Sequence, residues 1–200
     1  MNELGQAGLI GRFKPLHRGG KVLLETICKK ADYVEIGIGS SNQYNMRNPF
    51  TAEETKEMID ALLSPNYKNY EIFEVPDLFN EPKWIKQAEK LYEDLDYFVS
   101  GNEYVFDLLK NSYNVIHPAD IIPGDEHVRM RATEVRMQMA RGGDWEQYVP
   151  DSVADYLKKN ELVKRFRKEF GLETVAKLAN EDYVSPETKA QERAHVFGGL

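Results

Sequence analysis

A single cysteine, Cys28, stands among 200 residues, which excludes an intramolecular disulfide and every cysteine-rich zinc module. Histidine is scarce too: there are four, and no two have the i, i+4 helical spacing of a zinc pair. Long hydrophobic runs are missing. No stretch approaches the ~18 apolar residues of a membrane-spanning helix, and the polar residues 1–7 are too short for a signal-peptide core. Positive charge is in deficit, with 26 Lys and Arg against 33 Asp and Glu, a formal net charge of −7. That balance argues against a nucleic-acid or anionic-membrane surface while leaving room for a local basic pocket. These absences predict a soluble, cytoplasmic protein that binds neither nucleic acid nor membranes.

What is present is ordinary for a folded domain, with 42% hydrophobic and 30% charged residues. Residues 7–11, AGLIG, form a short Gly-flanked apolar run without amphipathic period, the mark of a buried parallel strand. From Lys21 the apolar positions Val22, Leu23, Leu24, Ile27 and Cys28 share one helical face. The pattern continues as strand 33–38, helix 52–63, strand 70–75, helix 84–95, strand 97–100, helix 103–110 and strand 114–117. Thr51 and Glu54 supply a capping box for the helix at 52–63. This alternation predicts an α/β protein with a parallel sheet and helices on both faces. A polar connection at 118–131 follows, then a helix capped by Thr133 and amphipathic helices at 151–160 and 162–170. The expected organisation is an α/β core at 1–150, C-terminal helices at 151–183 packed on it, and a polar, flexible tail at 184–200.

Ligands of open parallel sheets bind beyond the carboxyl ends of the strands. The loop there after the first strand is GRFKPLHRGG, residues 11–20, and a helix follows it directly. Its glycines admit close backbone approach, and a helix N-terminus offers unpaired N–H groups to an anion. Arg12, Lys14, His17, Arg18 and Lys21 crowd groups able to carry positive charge into this short segment. The spacing matches neither the dinucleotide fingerprint nor the P-loop. By itself the loop reads equally as a basic turn ahead of a surface helix. A second segment, RATEVR at 131–136, favours the anion. Arginine in a first helical turn opposes the helix dipole unless an anion sits there. Thr133 and Arg136 could hold phosphate oxygens together.

These segments resemble the nucleotidyltransferase superfamily marked by an H-x-G-H loop and an I-S-S-T-x-x-R helix start. More narrowly, the chain is similar to the archaeal-type nicotinamide mononucleotide adenylyltransferases. The similarity runs through residues 11–20, GSS at 39–41, NPFT at 48–51, VPD at 75–77, Asn80, Trp84, SGN at 100–102, ATEVR at 132–136 and GDW at 143–145. It follows the family's order over most of residues 7–150. The resemblance implies a Rossmann-like fold and transfer of AMP from ATP to nicotinamide mononucleotide (NMN), giving NAD and pyrophosphate. It also implies Mg²⁺ carried on the phosphates without dedicated protein ligands, and a homo-oligomer. Catalytic roles would fall to His17, Arg47 and Arg136. Nucleotide and phosphate contacts would come from Gly11, Arg12, Phe13, Gly19, Gly20 and Thr133. Acceptor contacts would come from Asp77, Asn80, Asn102 and Trp84, the last stacking on the flat ring.

The chain departs from that pattern at two places. Gly20 stands where the family has its second motif histidine, and Met130-Arg131-Ala132 replaces the residues expected ahead of Thr133. Loss of one charge-stabilising donor costs about 10²–10³ in rate. Two alternatives therefore stay open: a nucleotidyltransferase with another acceptor or triphosphate (cytidylyl or FMN adenylyl transfer), or a nucleotide-binding regulator with impaired catalysis.

Overall fold

The structure, a computed structural model, describes residues 2–128 and 130–179, so the tail expected at 184–200 lies outside the described residues. Five apolar runs form the strands: Gln6–Gly11 (β1), Tyr33–Gly39 (β2), Tyr70–Val75 (β3), Tyr97–Val99 (β4) and Val115–Ile116 (β5). They pair in parallel in the order β3-β2-β1-β4-β5, which places the first strand at the centre of the sheet. Because β1 is flanked on both sides and covered on both faces, its interior is apolar throughout rather than alternating.

The connecting helices are Arg18–Lys30 (α1), Ala52–Leu63 (α2), Glu81–Leu91 (α3), Glu103–Leu109 (α4), the single turn Pro118–Ile121 (α5), Ala132–Arg141 (α6), Asp151–Lys159 (α7) and Leu162–Ala179 (α8). One sheet face packs Leu9, Ile36 and Ile38 against Leu24 and Ile27 of α1, Met58 and Ile59 of α2, and Leu157 and Phe166 of the last two helices. The opposite face packs Val75 and Phe98 against Ala88 and Tyr92, with Leu109 of α4. The C-terminal helices thus share the core of the sheet, α7 lying on α2 and α8 on α6. None of the described helices is long and apolar enough to cross a membrane.

The capping box of α2 forms as the sequence predicts. Thr51 Oγ1 accepts from the Glu54 N–H at 3.1 Å, and the Glu54 carboxylate accepts from the Thr51 N–H at 2.9 Å. Three other helix starts differ from expectation. Helix α1 begins at Arg18 rather than Lys21, because the His17 side chain serves as its cap. Helix α3 begins at Glu81 rather than Trp84: Asn80 Oδ1 accepts from the Lys83 N–H at 3.0 Å, and Pro82 occupies the first turn. In α6 the cap position is Arg131, not Thr133, which lies inside the first turn. Glu134 accepts the Arg131 N–H at 3.1 Å, and that bond pulls the boundary back.

Candidate active site

Beyond the carboxyl edge of the sheet lies a cavity of about 520 Å³. It sits where β1 meets β4 and the chain's crossovers diverge to opposite faces, the position at which such sheets bind ligands. Two walls of unlike chemistry line it. The loops after β1 and β2 bring Gly11, Arg12, Phe13 and Arg47. The loop after β3 and the starts of α3 and α4 bring Asp77, Asn80, Trp84 and Asn102. Eight of the residues singled out in the sequence therefore meet in one cavity, from four separate loops.

The first wall is built on a tightly packed turn. A side chain at Gly11 would overlap the Phe13 ring, its Cβ falling 2.5 Å from Cζ. Phe13 itself is buried with φ near +50°. The Lys14 ammonium is buried and donates to the Ser40 carbonyl at 3.0 Å, tying the loop after β1 to the loop after β2. Burial, then the neighbouring Arg12, pushes Lys14 down to about 8. Arg12 is likewise lowered by burial and by Arg47, with Asp77 opposing. Cations held this close repel one another, and an anion placed among them relieves the repulsion.

His17, Gly19, Gly20, Thr133 and Arg136 do not line this cavity; they lie behind the same loop. His17 is buried, and its Nδ1 accepts from the Gly20 N–H at 3.2 Å. That bond leaves the proton of the neutral ring on Nε2 as its remaining donor. Burial and the adjacent Arg136 push His17 down to about 4, so the ring is uncharged at neutral pH. Arg136 is buried too. Its guanidinium donates to the Lys14 carbonyl at 2.8 Å and to Thr133 Oγ1 at 3.1 Å. Burial, with Arg12 and Arg47, lowers Arg136 to about 9. Thr133 therefore spends its hydroxyl oxygen on Arg136, and Arg136 braces the loop after β1 from behind. At Gly19 a Cβ would fall 2.9 Å from the Val128 carbonyl, so the backbone at Val128 packs directly over the start of α1. Arg18, by contrast, turns away to the Gln147 carbonyl at 2.7 Å.

On the second wall Asn80 and Asn102 cap α3 and α4 through their amide oxygens, at 3.0 Å from Lys83 N and 3.0 Å from Tyr104 N. Glu81 accepts from the Tyr104 hydroxyl at 2.9 Å and joins the two helix starts. Asn42 makes a reciprocal pair with the backbone of Asp77, donating to its carbonyl at 3.0 Å and accepting from its N–H at 2.9 Å. Residue patterns gave no signal for Asn42, Tyr104 or Phe79. Phe79 is 83% exposed at the cavity rim and holds φ near +49°, a conformation no local motif announced. Among the described residues no three His, Cys, Asp or Glu side chains gather to hold a metal ion.

A parallel sheet with a cation-lined cavity over its first strand-to-helix loop defines a nucleotide-binding α/β protein. The chain belongs to the cytidylyltransferase-like family, whose pattern matches residues 9–185. Within it, the chain is 32% identical over 171 residues to the nicotinamide-nucleotide adenylyltransferase of Archaeoglobus fulgidus, covering 81% of this chain and 95% of that one. The enzyme of the same name from Pyrococcus horikoshii is 35% identical over 162 residues, covering 79% of this chain and 85% of its own. In fold, the chain resembles a bifunctional NMN adenylyltransferase/ADP ribose pyrophosphatase from Francisella tularensis solved with AMP and a manganese ion. The TM-score is 0.65 at 21% identity, over 83% of this chain and 52% of that one, so this chain spans about half of the larger protein.

Proposed function

We propose that the chain is a nucleotidyltransferase that moves the adenylyl group of ATP onto NMN, forming NAD and pyrophosphate. The observation that carries this reading is the pair of unlike walls around one cavity: Arg12 and Arg47 on one side, Asp77, Asn80, Trp84 and Asn102 on the other. The archaeal relatives named for this activity support it over their length.

In the reaction an oxygen of the NMN phosphate attacks the α-phosphorus of ATP, the bond from that phosphorus to the bridging oxygen breaks, and pyrophosphate leaves with the electron pair. The nucleophile is already an anion, so no general base is needed; alignment and charge neutralisation do the catalysis. Arg12 and Arg47 would neutralise the triphosphate, Gly11 and Phe13 would shape its cradle, and His17 would serve catalysis from behind by holding the start of α1 through its bond to the Gly20 N–H. Arg136 and Thr133 would act from behind by holding the Lys14 carbonyl, with Gly19 and Gly20 keeping the start of α1 close-packed. Trp84 would stack on the acceptor ring, with Asp77, Asn80 and Asn102 meeting its polar edge. The triphosphate oxygens would carry a divalent cation such as Mg²⁺, which would supply partial neutralisation of their charge. In this reading the protein works in the cytoplasm as a homo-oligomer, which a light-scattering mass above the monomer value would support.

The test is incubation with ATP, NMN and Mg²⁺. NAD and pyrophosphate should appear in equal amounts. Gly20 favours a second reading, a nucleotide-binding regulator, because no side chain replaces the motif histidine and His17 is engaged as a helix cap. Calorimetric ATP binding without pyrophosphate release from ATP or CTP, whether NMN or FMN is the acceptor, would establish that second reading and overturn the first.

A further inference from the structure

The turn that carries Arg47 is gripped from outside the cavity by one side chain of the C-terminal helix. Arg165 of α8 donates through Nη2 to the Pro49 carbonyl at 3.0 Å. The same guanidinium makes a two-point pair with Glu54, Nη1 to Oε1 at 2.5 Å and Nη2 to Oε2 at 2.7 Å. Glu54 is also the residue that closes the capping box of α2. On the other flank of the turn, the Arg165 guanidinium lies 5.7 Å from the centroid of the Tyr44 ring. Tyr44 donates its hydroxyl to Glu169 and meets Phe170 edge-on with ring centroids 5.3 Å apart. Both partners belong to α8.

Between these anchors the turn is stiff. Asn45 Oδ1 accepts from the N–H groups of Arg47 and Asn48 at 3.0 and 3.1 Å, and Asn48 is buried. A stiff turn held at both flanks passes any displacement of its anchors to the residue between them. The grip is stronger than an ordinary surface ion pair: the Arg165 and Glu54 side chains are only 29% and 17% exposed, and the geometry is a fork onto a carboxylate. Helix α8 reaches the other cation-bearing element as well. Arg167 donates through Nε to the Met139 carbonyl at 2.6 Å, one turn beyond Arg136 in α6.

We propose that Arg165 is a positioning residue for polyphosphate binding, holding the 44–49 turn so that Arg47 presents its charge to the triphosphate. The proposal rests on the adenylyl-transfer reading only in placing a polyphosphate beside Arg47. Calorimetry on the full chain with ATP, and separately with inorganic pyrophosphate, tests it without requiring turnover. Arg165→Met should raise both dissociation constants about tenfold, the size expected of a residue that acts on a site without touching its ligand. Arg165→Lys, which keeps the charge but not the fork, should fall between. In an Arg47→Ala background neither substitution should weaken binding further, because the residue being positioned is gone. Effects that persist undiminished in that background would overturn the proposal and leave Arg165 a general structural support. If Arg165→Met melts below the assay temperature, the same cycle with Arg165→Lys carries the decision. A wild-type chain that binds neither ATP nor pyrophosphate overturns the parent reading together with this one, an outcome distinct from additive losses in a chain that binds both.

Discussion

His17 shows how one side chain can be legible as to place and illegible as to role. The sequence puts it in a basic, glycine-rich loop, among groups able to carry positive charge. Its burial and its bond to the Gly20 N–H make it a neutral helix cap, its pKa held down to about 4 by desolvation and Arg136. The unfolded chain's histidine takes up a proton near pH 6.5, whereas the folded one resists until about pH 4. Stability is therefore full above pH 6.5 and declines as the pH falls through that window. Between pH 7 and pH 4.5, wild type should lose on the order of 2 kcal/mol more unfolding free energy than His17→Asn, which retains a capping acceptor but does not titrate. Urea unfolding at several pH values measures this; parallel pH profiles for the two proteins would contradict a buried neutral His17. The cap was hidden because glycines at positions 19 and 20 read as loop, and only the packed loop reveals them as the first turn of α1.

Among the elements, the starts of α3 and α4 carry most of the acceptor wall. Asn80 and Asn102 were legible as polar residues after strands, and Trp84 as an aromatic in a helical stretch. That both asparagines cap helices, and that Trp84 lies one turn inside α3, follows from boundaries that local pattern left uncertain by a few residues. Because Trp84 stands on a capped helix start rather than a free loop, its substitution should be local. Trp84→Ala should weaken NMN binding about tenfold, the value of a lost stacking partner, with ATP affinity unchanged. Equal losses for both ligands in calorimetry would show that the residue supports the fold instead. Helix α8 is the clearest extension beyond expectation. Gly171 looks like a stop signal, yet the helix runs on to Ala179 and buries that glycine. A glycine costs about 1 kcal/mol in a helix, less than the packing of a long helix on a core can supply.

Over the whole molecule, the formal charge of −7 coexists with a cation cluster at one edge of the sheet. Binding of a small polyanion should then be driven by local charge and opposed by the rest of the surface. Raising sodium chloride from 50 to 500 mM should weaken ATP binding severalfold, as the screening length shrinks below the spacing of the cations and phosphates. A salt-independent dissociation constant would place ATP elsewhere than between Arg12 and Arg47.

What the sequence determined by itself were the local matters: the strand and helix alternation, the capping box at Thr51, the basic, glycine-rich make-up of the loop at 11–20 and, from its single cysteine, the exclusion of an intramolecular disulfide. Each depends on residues a few positions apart, where backbone geometry and hydrophobic period act directly. The tertiary structure decided which of the candidate residues share a cavity and which stand behind it. Arg12, Arg47, Asp77 and Asn102 meet only because β1 is the centre of the sheet order, and Arg165 reaches Pro49 and Glu54 only because α8 folds back over α2's start. No local period encodes strand order or the docking of the last helix. Those are set by burying two faces of one sheet at once, and burial is a property of the whole chain.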